Sequence, residues 1–268
     1  MIRSHFFVTS SLQKDGHIHV RSVVPTDMSS KTPSIVCLHG AGLHNIIFDV
    51  PIDEKHPTFL EYLAGQGFAA YAISYRGYGE SSKPKEMDKP AFPQRPLMRY
   101  DAARQDVVDV LKHIQNHRGT ENFHICGLSW GSVIAGSLVN HHPALVGKLV
   151  LLGAVYAYPN PSWLAILNPA NLKQLNPAIG TYRIVAKSII TAMWDTEIPN
   201  SDKSKWRNPA AVNLIVNDML SGDKKWAEQQ PDSQCLRIPS GVSLDVVEIY
   251  NQHPLYDATL IQCPTLIL

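Results

Sequence analysis

The stretch His124-Ile125-Cys126-Gly127-Leu128-Ser129-Trp130-Gly131-Ser132 decides the fold. A short apolar run leads into Gly127-Leu128-Ser129-Trp130-Gly131, and a helix-like stretch from Val133 to Asn140 follows. Strand, sharp turn and helix are the setting in which G-x-S-x-G forms a nucleophile elbow, a strained turn that lifts the serine hydroxyl clear of the sheet. Glycine is required at 127 and 131 because a Cβ there would meet the neighbouring strand or helix. Ala135-Gly136 allows the helix to pack closely. The helix start behind Ser129 offers backbone N–H groups and the positive end of a dipole to developing negative charge. Ser129 is the candidate catalytic nucleophile.

Working outward, Ser34-Ile35-Val36-Cys37-Leu38 is a continuous apolar run, as expected of a strand buried on both faces. It ends in His39-Gly40-Ala41-Gly42-Leu43, a turn whose glycines bring backbone close to a neighbour. If Ser129 attacks a carbonyl, the N–H groups of Ala41 and Trp130 are the expected oxyanion donors, with His39, Gly40, Gly42, Gly127 and Gly131 supporting the turns. His39 belongs to its turn and is read as a hydrogen-bonded loop residue, not a general base.

Phe6–Ser10 and Ile18–Val24 flank Asp15-Gly16 and predict a hairpin. Thr58-Phe59-Leu60-Glu61 fits a capping box opening a helix whose apolar face is Phe59, Leu60 and Leu63, and Gly65-Gln66-Gly67 stops it. Phe68–Ser74 is a second buried strand, followed by the loop Tyr75-Arg76-Gly77-Tyr78-Gly79-Glu80-Ser81, where Arg76 is expected in a structural ion pair. Tyr100–Asn116 carries Ala103, Val107, Val110, Leu111 and Ile114 at helical spacing. Phe123–Cys126 and Lys148–Gly153 are further strands. Alternating strands and helices predict an α/β fold with a mostly parallel central sheet and helices on both faces.

From Val155 to about His253 the rhythm changes. The segment is rich in proline, asparagine and tryptophan (Trp163, Trp194, Trp206, Trp226), with helix-like patches at Tyr182–Met193 and Pro209–Leu220 and no clear strand. It is too long for a connection and is read as a helical lid whose aromatics either wall an apolar pocket or pack the lid on the core. The expected organisation is a core over 1–154, a lid over 155–253 and a return to the core over 254–268, where Cys263–Leu268 reads as a buried strand.

Composition bounds the partners. The 268 residues carry 18% charged side chains and a net charge of +1, with no basic block, which disfavours nucleic acid. The four cysteines lack zinc-ligand spacing, and no run approaches a membrane span, so no bound zinc, no membrane insertion and a cytoplasmic setting are expected. Gly40-Ala41-Gly42 lacks the third glycine of a dinucleotide fingerprint.

Taken in order, the His39–Gly42 turn, the Arg76–Ser81 loop, the Gly127–Gly131 elbow and the Cys263–Leu268 strand resemble the α/β-hydrolase superfamily, and within it lidded esterases and lysophospholipase-like hydrolases. The resemblance implies a serine hydrolase acting on a hydrophobic carboxylic ester, without cofactor. It places the catalytic acid after the strand at Thr265–Leu268 and the histidine later, so the last strands and helix of the fold are expected beyond Leu268. Ala154–Leu167, the other place for an acid, contains neither Asp nor Glu. Acyl transfer, carbon–carbon bond hydrolysis or perhydrolysis at the same site, and a non-catalytic ligand-binding member, are the alternatives. Oligomeric state is not legible.

Overall fold

The structure, a computed structural model, describes residues 1–268 apart from positions 54, 197, 200 and 201, and apart from the side chains of Met193 and Trp194. In chain order it runs β1 (Ile2–Thr9), β2 (His17–Val24), β3 (Ser34–Leu38), α1 (Phe59–Gly65), β4 (Ala69–Ser74), α2 (Tyr100–Arg118), β5 (Phe123–Leu128), α3 (Trp130–His141) and β6 (Val146–Leu152). Then come α4 (Pro161–Leu167), β7 (Tyr182–Ala186), α5 (Lys187–Thr196), α6 (Pro209–Ser221), α7 (Lys224–Ala227), β8 (Cys235–Pro239), α8 (Gly241–Tyr250) and β9 (Thr265–Ile267).

Seven strands form one sheet in the order β1-β2-β4-β3-β5-β6-β9. The β1–β2 hairpin joins antiparallel, and β4, β3, β5, β6 and β9 are mutually parallel. Alternation along the strands sorts their side chains by face. Ile35, Cys37, Ala70, Ala72 and Cys126 pack with Leu60, Leu63 and Ala64 of α1. Val36, Leu38, Tyr71, Ile73 and Ile125 face α2 and α3 through Val107, Leu111, Ile134 and Leu138. Helices thus cover both faces. From β3 the chain goes to β4 on one side and β5 on the other, so the loops leaving β3 and β5 diverge over one crevice, where open α/β sheets place ligands.

Local signals explain most boundaries. Thr58 and Glu61 form the reciprocal capping box that starts α1, and Gly119, in the left-handed region at φ +67°, ends α2. Phe59 departs from expectation: at the first position of α1 it is 41% exposed, leaving Leu60, Leu63 and Ala64 to fill the buried stripe.

Two further expectations are corrected. The segment 155–253 contains strands: β7 and β8 pair antiparallel as a separate two-stranded sheet. The helix-like patch at Tyr182 is therefore a strand to Ala186 and a helix only from Lys187, since so short a mixed segment fits either period. β8 escaped because Arg237 breaks its apolar pattern, although that arginine is buried and answered by Asp223 at 2.7 Å and by the Met87 carbonyl. Cys263–Leu268, read as a buried strand, pairs with β6 on one side only, and Leu266 and Ile267 are 52% and 65% exposed. Among the described residues, no helix is long and apolar enough to cross a membrane.

Candidate active site

Ser129 sits between the last residue of β5 and the first of α3, with φ +52° and ψ −119°. A non-glycine residue held there stores about 1–3 kcal/mol of strain and persists only when its surroundings over-determine it. They do. Its N–H donates to the Leu152 carbonyl at the end of β6 (2.8 Å), and its own carbonyl accepts from the Ser132 hydroxyl at 2.6 Å. Ser132 Oγ in turn accepts from the Val155 N–H at 2.9 Å, tying the turn to the chain leaving β6.

The flanking glycines are steric requirements. A Cβ on Gly127 would overlap the Gly131 carbonyl, and one on Gly131 would overlap the carbonyl oxygen of Leu38. Gly40 lies against the elbow from the β3 side, where a Cβ would stand 3.2 Å from Ser129 Cβ. Next to it, Ala41 is exposed and Gly42 adopts φ +70°. Trp130, at the first position of α3, has a backbone N–H that the helix leaves without an intrahelical acceptor. The two turns that carry the candidate oxyanion donors are therefore in contact.

His39 is fully buried beneath them. The Tyr75 N–H donates to its Nε2 (3.4 Å), which leaves Nδ1–H to donate to the Gly40 carbonyl at 2.8 Å. Burial lowers its pKa to about 3, so the imidazole stays neutral and serves the turn. Arg76 donates from Nε and from its backbone N–H to Asp106, both residues buried. Burial raises Asp106 to about 6 against the pull of Arg76.

The indole of Trp130 carries a link that the sequence reading missed. It packs edge-on against Tyr75, and its Nε1–H donates to Asp245 Oδ2 at 3.0 Å. Asp245, on α8 and fully buried, also accepts from Arg99 Nε and the Tyr100 N–H, each at 2.8 Å. Burial lifts its pKa to about 6 even so, and the carboxylate is ionised at neutral pH. A signal existed. Asp245 stands three residues after Val242 and four before Ile249, on the buried side of an apolar run.

An apolar cavity of about 290 Å³ opens on Ala41, Gly42 and Leu43. Its other walls come from the segment after β6: Trp163 and Leu167 of α4, Arg183 and Val185 of β7, Ile189 and Ile190 of α5, Ile238 of β8, and Val242, Ser243 and Val246 of α8. Of the tryptophans expected to wall a pocket, Trp163 does so. Trp206 is 61% exposed, Trp226 lies under the Arg237 guanidinium, and the side chain of Trp194 is outside the described residues.

Among the described residues, no histidine or carboxylate hydrogen-bonds to the Ser129 hydroxyl. His5, His19 and Glu80 do come together with donor atoms within 4.8 Å of one another. The Asn45 amide, oriented by accepting from Arg21 Nε, donates to His19 Nδ1 at 3.2 Å. His19 Nε2–H is then left to donate to His5 Nδ1 at 3.3 Å. That chain occupies both ring nitrogens of His19.

The model of the serine aminopeptidase S33 family matches residues 31–229, and the chain belongs to that family and to the α/β-hydrolase superfamily. No curated protein is similar enough in sequence to count as a relative. Similar solved structures include an esterase from Exiguobacterium antarcticum, at 18% identity and TM-score 0.54 over 97% of this chain and 79% of that one. The thioesterase domain from the curacin biosynthetic pathway matches at 15% and 0.57, over 100% and 82%. A thermophilic esterase from Thermogutta terrifontis matches at 15% and 0.56, over 98% and 79%. The chain spans 42% of the length of an epoxide hydrolase from Vigna radiata that it also matches, at 17% identity, TM-score 0.43 and over 60% of this chain. The fold is that of a hydrolase, and at these identities the likeness to solved structures concerns the fold alone.

Proposed function

We propose that this S33-family chain cleaves a carboxylic ester of a hydrophobic small molecule or lipid through an acyl-serine intermediate on Ser129. The observation that carries the reading is the backbone of Ser129 at φ +52°, held between a strand and a helix with the Gly40 turn against it. Ser129 Oγ attacks the ester carbonyl, the N–H groups of Ala41 and Trp130 hold the oxyanion, and the alcohol leaves with a proton. Water then releases the acid and restores the serine. The step needs a histidine base oriented by a carboxylate.

Ester is favoured over peptide by the cavity. An aminopeptidase must receive the substrate's α-ammonium, for which a carboxylate is the natural partner. Among the described residues, the one charged member of this cavity's lining is a cation, Arg183, and the rest is apolar but for Ser243.

The test is hydrolysis of 4-nitrophenyl butyrate and hexanoate by the full-length gene product and by Ser129→Ala. Loss of the nucleophile is expected to lower kcat by roughly four to six orders of magnitude. An unchanged rate in the variant removes Ser129 from the mechanism.

A further inference from the structure

The apolar cavity has one feature its hydrophobic walls do not require, the guanidinium of Arg183. Successive residues on a strand point to opposite faces, and on β7 it is Arg183 and Val185 that line the cavity, Arg183 from an exposed position, while Ile184, between them, is outside the lining and 59% exposed. Directly across the ladder, Arg183 pairs with Ile238 of β8. The Ile238 side chain reaches the β3 turn, where its Cδ1 would lie 3.9 Å from a Cβ on Gly42. One cross-strand step therefore separates Arg183 from the residue that touches the candidate oxyanion turn, and the cavity runs between them.

Among the described residues no carboxylate pairs with this arginine. Arg76, Arg99, Arg207 and Arg237 each have an acidic partner at 2.6–2.8 Å, whereas the Arg183 side chain has no ion pair or hydrogen bond among the described residues. A guanidinium is a fixed cation whose planar fork matches a carboxylate in two places.

We propose that the cavity binds an apolar acyl chain whose far end carries a carboxylate. The ester carbonyl lies at Ala41–Gly42, the methylenes run along Leu43, Ile190 and Val246, and the terminal carboxylate meets Arg183. The cavity's volume of about 290 Å³ is at the lower end of small-molecule sites, so the chain is short to medium in length. This deepens the ester-hydrolase reading and rests on it for the reaction, though not for binding.

Two measurements separate the two ideas. In the first, kcat/KM is compared for 4-nitrophenyl hydrogen adipate and 4-nitrophenyl hexanoate, an anionic and a neutral ester of the same acyl length. The anionic ester is expected to lead by at least tenfold. Arg183→Ala is expected to erase that ratio, chiefly through KM, and Arg183→Lys to restore part of it, since a lysine supplies the charge without the fork. A ratio unchanged in Arg183→Ala overturns the proposal while leaving the esterase reading intact.

In the second, monomethyl suberate and dimethyl suberate are titrated calorimetrically into Ser129→Ala. Tighter binding of the monoanion, lost in the Ser129→Ala/Arg183→Ala double variant, supports the site even if neither nitrophenyl ester is hydrolysed. Equal binding of the two esters overturns it.

Discussion

Asp245 is the place where the elbow can be loosened without touching Ser129. Replacing it by alanine leaves the Trp130 indole N–H and the Tyr100 backbone N–H, now bonded at 3.0 and 2.8 Å, without an acceptor. A buried donor stripped of its partner costs about 1–3 kcal/mol. Arg99 adds little, because it keeps Glu248 at 2.7 Å and about a third of its side chain lies in solvent. The two donors together give about 4 kcal/mol. In a chain of this size each kcal/mol moves the melting temperature by about 2–4 °C, so Asp245→Ala is expected to melt about 8–16 °C below wild type by calorimetry. Asparagine supplies a sharper comparison. The Trp130 and Tyr100 donors converge on Oδ2, and Arg99 alone addresses Oδ1. An amide with its oxygen at the Oδ2 position keeps both bonds and turns its NH2 toward the partly exposed Arg99. Asp245→Asn should therefore lose less than half of what the alanine variant loses. A drop under 2 °C in Asp245→Ala, or equal drops in the two variants, would refute this account.

Other consequences can be checked alongside it. A methyl group at Gly131 would overlap the Leu38 carbonyl oxygen and stand 2.8 Å from that of His39. Gly131→Ala is therefore expected to cost at least about 1–3 kcal/mol and to abolish turnover. Gly65, with nothing within 4 Å of its Cβ direction, is expected to accept alanine with a gain of up to about 1 kcal/mol; urea midpoints of the two variants that move together would contradict the steric argument. Burial holds His39 and His44 to about 3. Below about pH 6.5 the unfolded chain takes up protons that the folded chain refuses, so their contribution is present above that pH and drains away toward pH 3. Asp106 and Asp245, raised to about 6, run the other way between about pH 6 and 4 and shift the net slope without touching the comparison with a histidine variant. His44→Gln is expected to flatten stability against pH between 6 and 4 by about 1.4 kcal/mol per pH unit, and a urea-midpoint profile parallel to wild type would contradict it.

The parts of the fold legible in the sequence were those written in local chemistry. The five residues of β3 are all buried and read as one apolar run, the Thr58–Glu61 box is reciprocal, and the five apolar residues chosen on α2 all face the core. The elbow was legible for the same reason, since Gly127 and Gly131 answer to atoms a few residues or one strand away. What stayed hidden depends on partners remote in sequence. Arg237 looks like a surface residue until Asp223 and Met87 close around it. β7 and β8 are separated by 48 residues, and neither has a neighbour in the sequence that announces a sheet. Arg183 is unremarkable in a string of letters, and its relation to Gly42 passes through Ile238.

The contact between Trp130 and Asp245 spans 115 residues, and this distance has a meaning in time. On a ribosome adding about 5–20 residues per second, the indole is made roughly 6–23 s before the carboxylate that receives its proton. During that interval β3, β4, β5 and β6 already exist and can pair around Ser129, yet the α8 side of the elbow helix has no polar partner. Translation speed through residues 131–245 thus sets how long a nascent chain carries an assembled sheet with an open flank. Synonymous codons that slow or speed that stretch are therefore expected to change the yield of folded protein without altering one residue of it.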